Sequence, residues 1–256
     1  MRHSYIDKYS NIDSLLHQWD PRIKIIAFVL FILFVIFTPP NAFMAFILYA
    51  IFLSLLVLLS KLPIQYVLKR SLVIIPFVLM AAAFIPFFKK GEVAGGYSLG
   101  TLRLTVTYDG LMIFWNILAK AYLSILCMIL LVSSTRFSDL LKAFEKLKCP
   151  RIITMIFSFM YRYIFVIQDE LVRMLQAKES RSVGGKHLFH IKSLANMVGV
   201  LFIRSYERAE SVYFAMCARG FDGKIKVMHD FKLTRKDICF LSAVLTILIC
   251  IRVIGK

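Results

Sequence analysis

Long apolar runs alternate with polar, basic segments along this chain, and the runs have the lengths that a bilayer asks for. Residues 23–38, 42–60, 71–88, 111–133 and 238–254 are each almost continuously apolar. About 20 apolar residues are needed to carry a helix through the hydrocarbon core, and only helices and closed barrels satisfy their own backbone there. These runs are continuous rather than alternating, so they predict helices. The expectation is an all-α polytopic membrane protein with about five transmembrane helices. Asp20 and Pro21 stand just before the first run and suit an N-cap and a first helical turn. That run shows no small-residue cleavage site, and it reads as a retained membrane helix rather than a signal peptide. Residues 89–110 are rich in Gly, Thr and Tyr and alternate in a way that suits a short hairpin.

Charge orients the spans. Residues 134–236 hold 19 basic and 9 acidic residues, a net of +10, whereas 89–110 holds three basic and two acidic. Lys and Arg concentrate in cytoplasmic segments, so the N-terminus, residues 61–70 and residues 134–236 are expected inside, with 89–110 outside. The chain then divides into an N-terminal transmembrane region, 1–133, with four spans, a cytoplasmic region, 134–236, and a C-terminal transmembrane helix, 237–256. Within the basic segment, 152–168 is apolar enough to span but carries Arg162 at its middle. A charge at the bilayer centre costs about 3 kcal/mol. The next apolar stretch, 194–203, reaches only about 15 Å as a helix and is too short to return. Residues 152–180 and 192–219 therefore read as two long cytoplasmic or interfacial helices.

Composition narrows the function classes. The chain is 59% hydrophobic with 23 Phe and a formal charge of +17. In a membrane protein that charge is explained by the cytoplasmic bias, and no nucleic-acid motif interrupts the runs. The five cysteines (Cys127, Cys149, Cys217, Cys239 and Cys250) lack C-x-x-C spacing, so no disulfide framework is implied. His187 and His190 have a helical spacing, but they follow Gly184-Gly185 in a basic loop and read as solvated, so no metal site is expected. No phosphate-binding loop, nucleophile elbow or H-E-x-x-H is present. No catalytic residue and no cofactor is expected, and any energy must come from another subunit.

Two short segments and one lysine stand out. The first long helix finishes in Ser180-Arg181-Ser182 before Gly184-Gly185, and the second in Ala218-Arg219-Gly220, 38 positions later. Arg near a helix C-terminus satisfies terminal carbonyls and Gly caps the end, which accounts for either segment alone. As a pair, each with Ala four residues before the Arg, they read as matching docking tips. Small flanking residues let backbone enter a groove, and the guanidinium fork can grip a carboxylate. Lys120, the tenth residue of the 111–133 run, has no Asp or Glu in any span to pair with. It either faces a partner subunit and backbone carbonyls or snorkels along a tilted helix, and a contact with a partner subunit is the expectation.

These residues resemble a known family. LLHQWDPRIK at 15–24, STRFSDLL at 134–141, YRYIF at 161–165, RSYERAE at 204–210 and AMCARGFDG at 215–223 are similar to the transmembrane T component of energy-coupling factor (ECF) transporters. The similarity is to the CbiQ-type subunit of cobalt and nickel uptake systems. It implies a non-catalytic coupling subunit in the cytoplasmic (inner) membrane. Two ATP-binding-cassette ATPases would receive Arg181 and Arg219 in grooves, one each, and would carry out the ATP hydrolysis. Their closure would move the long helices against a separate CbiM-like substrate-binding membrane subunit that carries the metal site. A T component serving vitamin-binding subunits is the alternative within transport. A membrane-embedded enzyme or a channel acting alone would need a convergent set of ionisable residues, which the runs do not offer.

Overall fold

The computed structural model describes residues 14, 19–40, 42–83, 93–99, 102–181, 187–223 and 235–254. Among them eight helices run in order: α1 (Pro21–Ile36), α2 (Phe43–Leu59), α3 (Ile64–Ala82), α4 (Tyr108–Ser134), α5 (Phe137–Lys146), α6 (Arg151–Arg181), α7 (His187–Ala218) and α8 (Arg235–Ile254). The chain is an all-α membrane protein apart from an antiparallel ribbon, β1 (Val93–Leu99) and β2 (Leu102–Thr107), which pairs Tyr97 with Leu104. The ribbon falls where the alternation in 89–110 suggested a hairpin. Two compact units result: one carries α1–α5, the ribbon and α8, the other α6 and α7.

The first unit is built around α1. Asp20, Pro21, Ile23 and Lys24 at its start and Val35 and Thr38 at its end are buried, so the backbone there must find partners inside the protein. At the start, Asp20 does most of this. Its carboxylate accepts the Arg22 amide at 2.9 Å, its carbonyl takes the amides of Ile23 and Lys24, and Pro21 has no N–H to satisfy. The Asp20 amide itself donates to the Asp237 carboxylate of α8 at 3.2 Å. At the other end every one of the last four carbonyls is met. Leu33 accepts the Phe37 amide, Phe34 the Thr38 hydroxyl at 2.7 Å, Val35 the Thr38 amide, and Ile36 the Lys120 ammonium at 2.9 Å.

The faces that pack follow helical spacing. Phe28, Phe31 and Val35 of α1 meet Tyr49 and Leu53 of α2, Leu123, Cys127 and Leu130 of α4, and Leu248 of α8. The α2 stripe recurs at 45, 49, 53 and 56, one face of a 3.6-residue period. Leu72, Val73, Phe77 and Met80 of α3 are each about two-thirds exposed, as side chains facing lipid would be. By length and composition α3, α4, α6 and α8 could each cross a membrane, and α2 is a shorter apolar helix.

Three features differ from the sequence reading. The third run begins its helix at Ile64 rather than 71, so Lys69 and Arg70 are helical. Pro63 starts the helix, and exposed charges do not stop one; Arg70 donates to the Tyr66 hydroxyl one turn back at 2.5 Å. The second long helix begins at His187 rather than 192, so His187 and His190, read as loop residues, are helical, and residues 84–88 of the third expected span lie outside the described residues. Finally, α5 is a separate amphipathic helix whose Ala143 is fully buried, and it packs with α1 in the first unit. Ten residues between two longer helices leave too little periodicity to announce it.

Lys24 is 1% exposed, donates to the Ser134 carbonyl at 3.3 Å, and feels the attraction of Asp139, Asp20 and Asp237. One ammonium thus ties the start of α1 to the end of α4, with the carboxylates of α5, α8 and the α1 cap near enough to attract it. Removing one member of a buried charge set costs about 3–5 kcal/mol, because the others stay behind uncompensated. Lys24→Met should lower thermal stability in detergent by that amount. Lys120→Met should cost about 1–3 kcal/mol, and exposed Lys69→Ala about 0.5 kcal/mol or less. A Lys24→Met protein as stable as Lys69→Ala would contradict this assignment.

Candidate coupling site

The second unit is two long helices joined through residues 182–186. The C-terminal half of α6 runs antiparallel to α7 from His190 to Arg208, as the paired linings show: Arg181 shares a cleft with His190, and Val166 shares one with Arg208. Two clefts of about 460 Å³ each lie along the pair. Arg204 borders both, and its guanidinium bonds the Glu170 carboxylate across the two helices. Almost nothing in this unit is sealed from its surroundings: Thr154 is the one buried residue of α6 among those described, and α7 has none. Apolar side chains stand outward instead. Ile191, Leu194, Val198, Phe202, Tyr206 and Tyr213 are all exposed, and their spacing puts them on one stripe of α7. On the opposite side, Lys178, Arg181, His190 and Arg204 make the first cleft basic.

Arg181 is the last residue of α6 and is exposed. Ser180, one residue earlier, turns its hydroxyl back onto the Ala177 carbonyl at 3.1 Å, while Ser182 lies outside the described residues. Ala218 closes α7, followed by Arg219 in a turn and Gly220 at φ +76°. There the Phe221 amide bonds the Met216 carbonyl at 3.1 Å and the Gly220 amide bonds that of Cys217 at 3.0 Å. This is the Schellman pattern, with glycine where the left-handed residue must be. The α7 end is therefore closed by backbone alone. Arg219 points away exposed, and neither it nor Arg181 has an ion pair among the described residues. From His190, beside Arg181, to Ala218 the helix rises about 42 Å, so the two arginine tips are far apart.

Lys120 belongs to the first unit. Besides Ile36 it donates to the Thr38 carbonyl at 2.7 Å, so its ammonium meets carbonyls of this chain at the end of α1, rather than the partner-subunit contact read from the sequence. Among the described residues no three His, Cys, Asp or Glu side chains converge as metal ligands. The Glu170–Arg204 pair and the binding role of Lys24 were not foreseen. Glu170 and Arg204 lie 34 residues apart on different helices, and only the antiparallel pairing of α6 with α7 brings them together. Lys24 stood inside a motif, but its burial among carboxylates is a tertiary fact.

A family model described as cobalt transport protein, CbiQ, matches residues 13–229. The chain belongs to that family. Its curated relatives agree. The energy-coupling factor transporter transmembrane protein EcfT of Listeria innocua is 30% identical, over 94% of this chain and 94% of its own length. EcfT of Staphylococcus aureus is 28% identical over 97% and 96%. An uncharacterised protein of Methanocaldococcus jannaschii is 27% identical over 96% of this chain and 85% of its own. The resemblance to the ECF T component read from the sequence is thus established for nearly the whole chain. It is a multi-pass membrane protein of a transporter family.

The geometry of the α7 end separates two roles for Arg219. If backbone alone caps the helix, Arg219→Ala should change thermal stability by about 0.5 kcal/mol or less. Gly220→Ala should cost about 1 kcal/mol or more, since a side chain at positive φ is strained. Thermal unfolding in detergent measures both. Equal losses would return Arg219 to a capping role.

Proposed function

We propose that the chain is the coupling subunit of an ECF importer for cobalt or nickel, passing the movement of two ATP-binding-cassette ATPases to a CbiM-like substrate-binding membrane subunit. It does no chemistry itself. It sits in the cytoplasmic membrane with its N-terminus and the α6–α7 unit inside, and α1, α2, α3, α4 and α8 within the bilayer. The observation that carries this reading is the pair of arginine tips on one two-helix unit, without an ion pair among the described residues and separated by a helix rise of about 42 Å. No single groove can take both, so two receptors are needed, and a pair of like ATPases supplies them. The family description, cobalt transport protein, supports the metal substrate. The relatives named EcfT carry no substrate in their names, which leaves the vitamin-type importer as the competing reading.

Docking would desolvate each guanidinium against a carboxylate, and loss of one partner of such a pair costs about 2–5 kcal/mol. Arg181→Glu with Arg219→Glu should abolish ATPase co-purification and metal uptake while leaving membrane insertion intact. Each Arg→Lys variant should retain only part of both, because an ammonium lacks the planar fork. Normal assembly and uptake in the double Glu variant would remove the docking role. Uptake of a vitamin instead of cobalt or nickel would move the chain to the competing reading.

A further inference from the structure

The two arginine tips are not alike. The basic cleft at the Arg181 tip has a volume of about 460 Å³ and two helical walls. Lys178 and Arg181 stand on the α6 wall, His190 and Arg204 on the α7 wall. Arg204 is matched by Glu170, whereas Lys178 and Arg181 have no ion pair among the described residues. No Asp or Glu lines the cleft. The carbonyl end of α6 favours cations on its last turn, which accounts for one wall only. At the other wall α7 begins, and the positive end of a helix favours acidic residues. Its first turn has none and carries His187 and His190 instead. Two cations and a helix N-terminus thus converge without a negative group to meet them. Most of the remaining lining is apolar, with Met174 and Ala177 from α6 and Met197 and Val200 from α7. A matching occupant presents an apolar side chain with anionic groups around it. By contrast, Arg219 follows eight uncharged residues, 211–218, and projects from the end of one helix.

We propose that this cleft is a compound seat in which one ATPase, through a carboxylate-bearing segment, holds α6 and α7 together, whereas the second ATPase meets Arg219 at a point. The inference rests on the reading of the chain as a coupling subunit. Helical spacing favours an acidic protein segment over a lipid phosphate. Ile191, Leu194, Val198 and Phe202 lie on the side of α7 opposite His190, Met197 and Arg204. A bilayer surface that met this apolar stripe would leave the cleft turned away from it. Charge complementarity then selects carboxylates, and the two methionines can adapt to the side chain set among them. One ATPase would fix the end of α6 to the start of α7, and the other would pull on the far end of α7 alone.

The test places a carboxylate on the α7 wall, well away from the α6 arginine in sequence. Asn196 lines the cleft and is exposed, so Asn196→Glu should fold, with thermal unfolding in detergent like that of the unmodified chain. The full chain is captured from its own host in mild detergent, and the ATPase retained is quantified. With Arg219→Glu present, the cleft is the remaining seat, and adding Asn196→Glu should cut retained ATPase about tenfold or more. Lys178→Glu, on the opposite wall, should do the same. Lys192→Glu is a larger charge change on α7 outside the cleft lining, and it should leave retention unchanged. With Arg181→Glu present instead, Asn196→Glu should have no further effect. A benzophenone amino acid at Ser193, on the α7 wall, should crosslink to an ATPase. Crosslinks to lipid, to the substrate-binding subunit or to a second copy of this chain would overturn the proposal. So would equal losses from Asn196→Glu and Lys192→Glu. If captures of the unmodified chain contain no ATPase, the coupling reading itself fails. If ATPase is captured but Asn196→Glu and Lys178→Glu leave it bound beside Arg219→Glu, only the compound seat fails.

Discussion

A buried helix end cannot leave its amides and carbonyls unmet, and α1 is buried at both ends. Each terminal amide and carbonyl there must be met from within the protein. Asp20 closes the first turn and Thr38 with Lys120 closes the last. Lys24 then locks that first turn to the end of α4 and to the carboxylates around it. Burying an ammonium is costly unless it is hydrogen-bonded and close to opposite charge; here it bonds the Ser134 carbonyl and three carboxylates attract it. These polar ties fix where α4 and α8 stand against α1, and the apolar stripes of α2, α4 and α8 pack into the space they define.

The second unit has the opposite construction. Its two helices carry no buried apolar core among the described residues, they enclose open clefts, and the Glu170–Arg204 pair joins them between those clefts. Packing resists deformation because interdigitated side chains must all move together. A pair of helices with little such packing can change its crossing angle at small cost. One unit is firmly tied; the other is a helix pair with open clefts and two arginines that have no ion pair among the described residues, a division that would suit the proposed relay of movement.

The sequence made the helices legible because membrane helices announce themselves by continuous apolar length. Four of the expected runs returned with ends shifted by a few residues, and the third began seven residues early, since Lys69 and Arg70 mark polarity without breaking a helix. The hairpin was visible in its alternation, whereas α5, at ten residues, was not. The arginine tips were legible as a repeated pattern. That Arg219 is relieved of capping was not, because Gly220 is compatible with several helix ends and only the bond from Phe221 to Met216 decides among them. Lys120 was visible as an anomaly, yet its carbonyl partners lie more than 80 residues away and depend on how α1 ends.

The claim that the α6–α7 pair relays ATPase movement is tested most directly by a distance across it. Spin labels at Gln176 and Ala215, exposed sites near the two arginine tips, would report the separation in the assembled transporter by pulsed electron resonance. The distance distribution should shift when nucleotide closes the ATPases and return when it is released. A distribution that stays the same in both states, while ATP is hydrolysed and substrate is carried, would contradict the account.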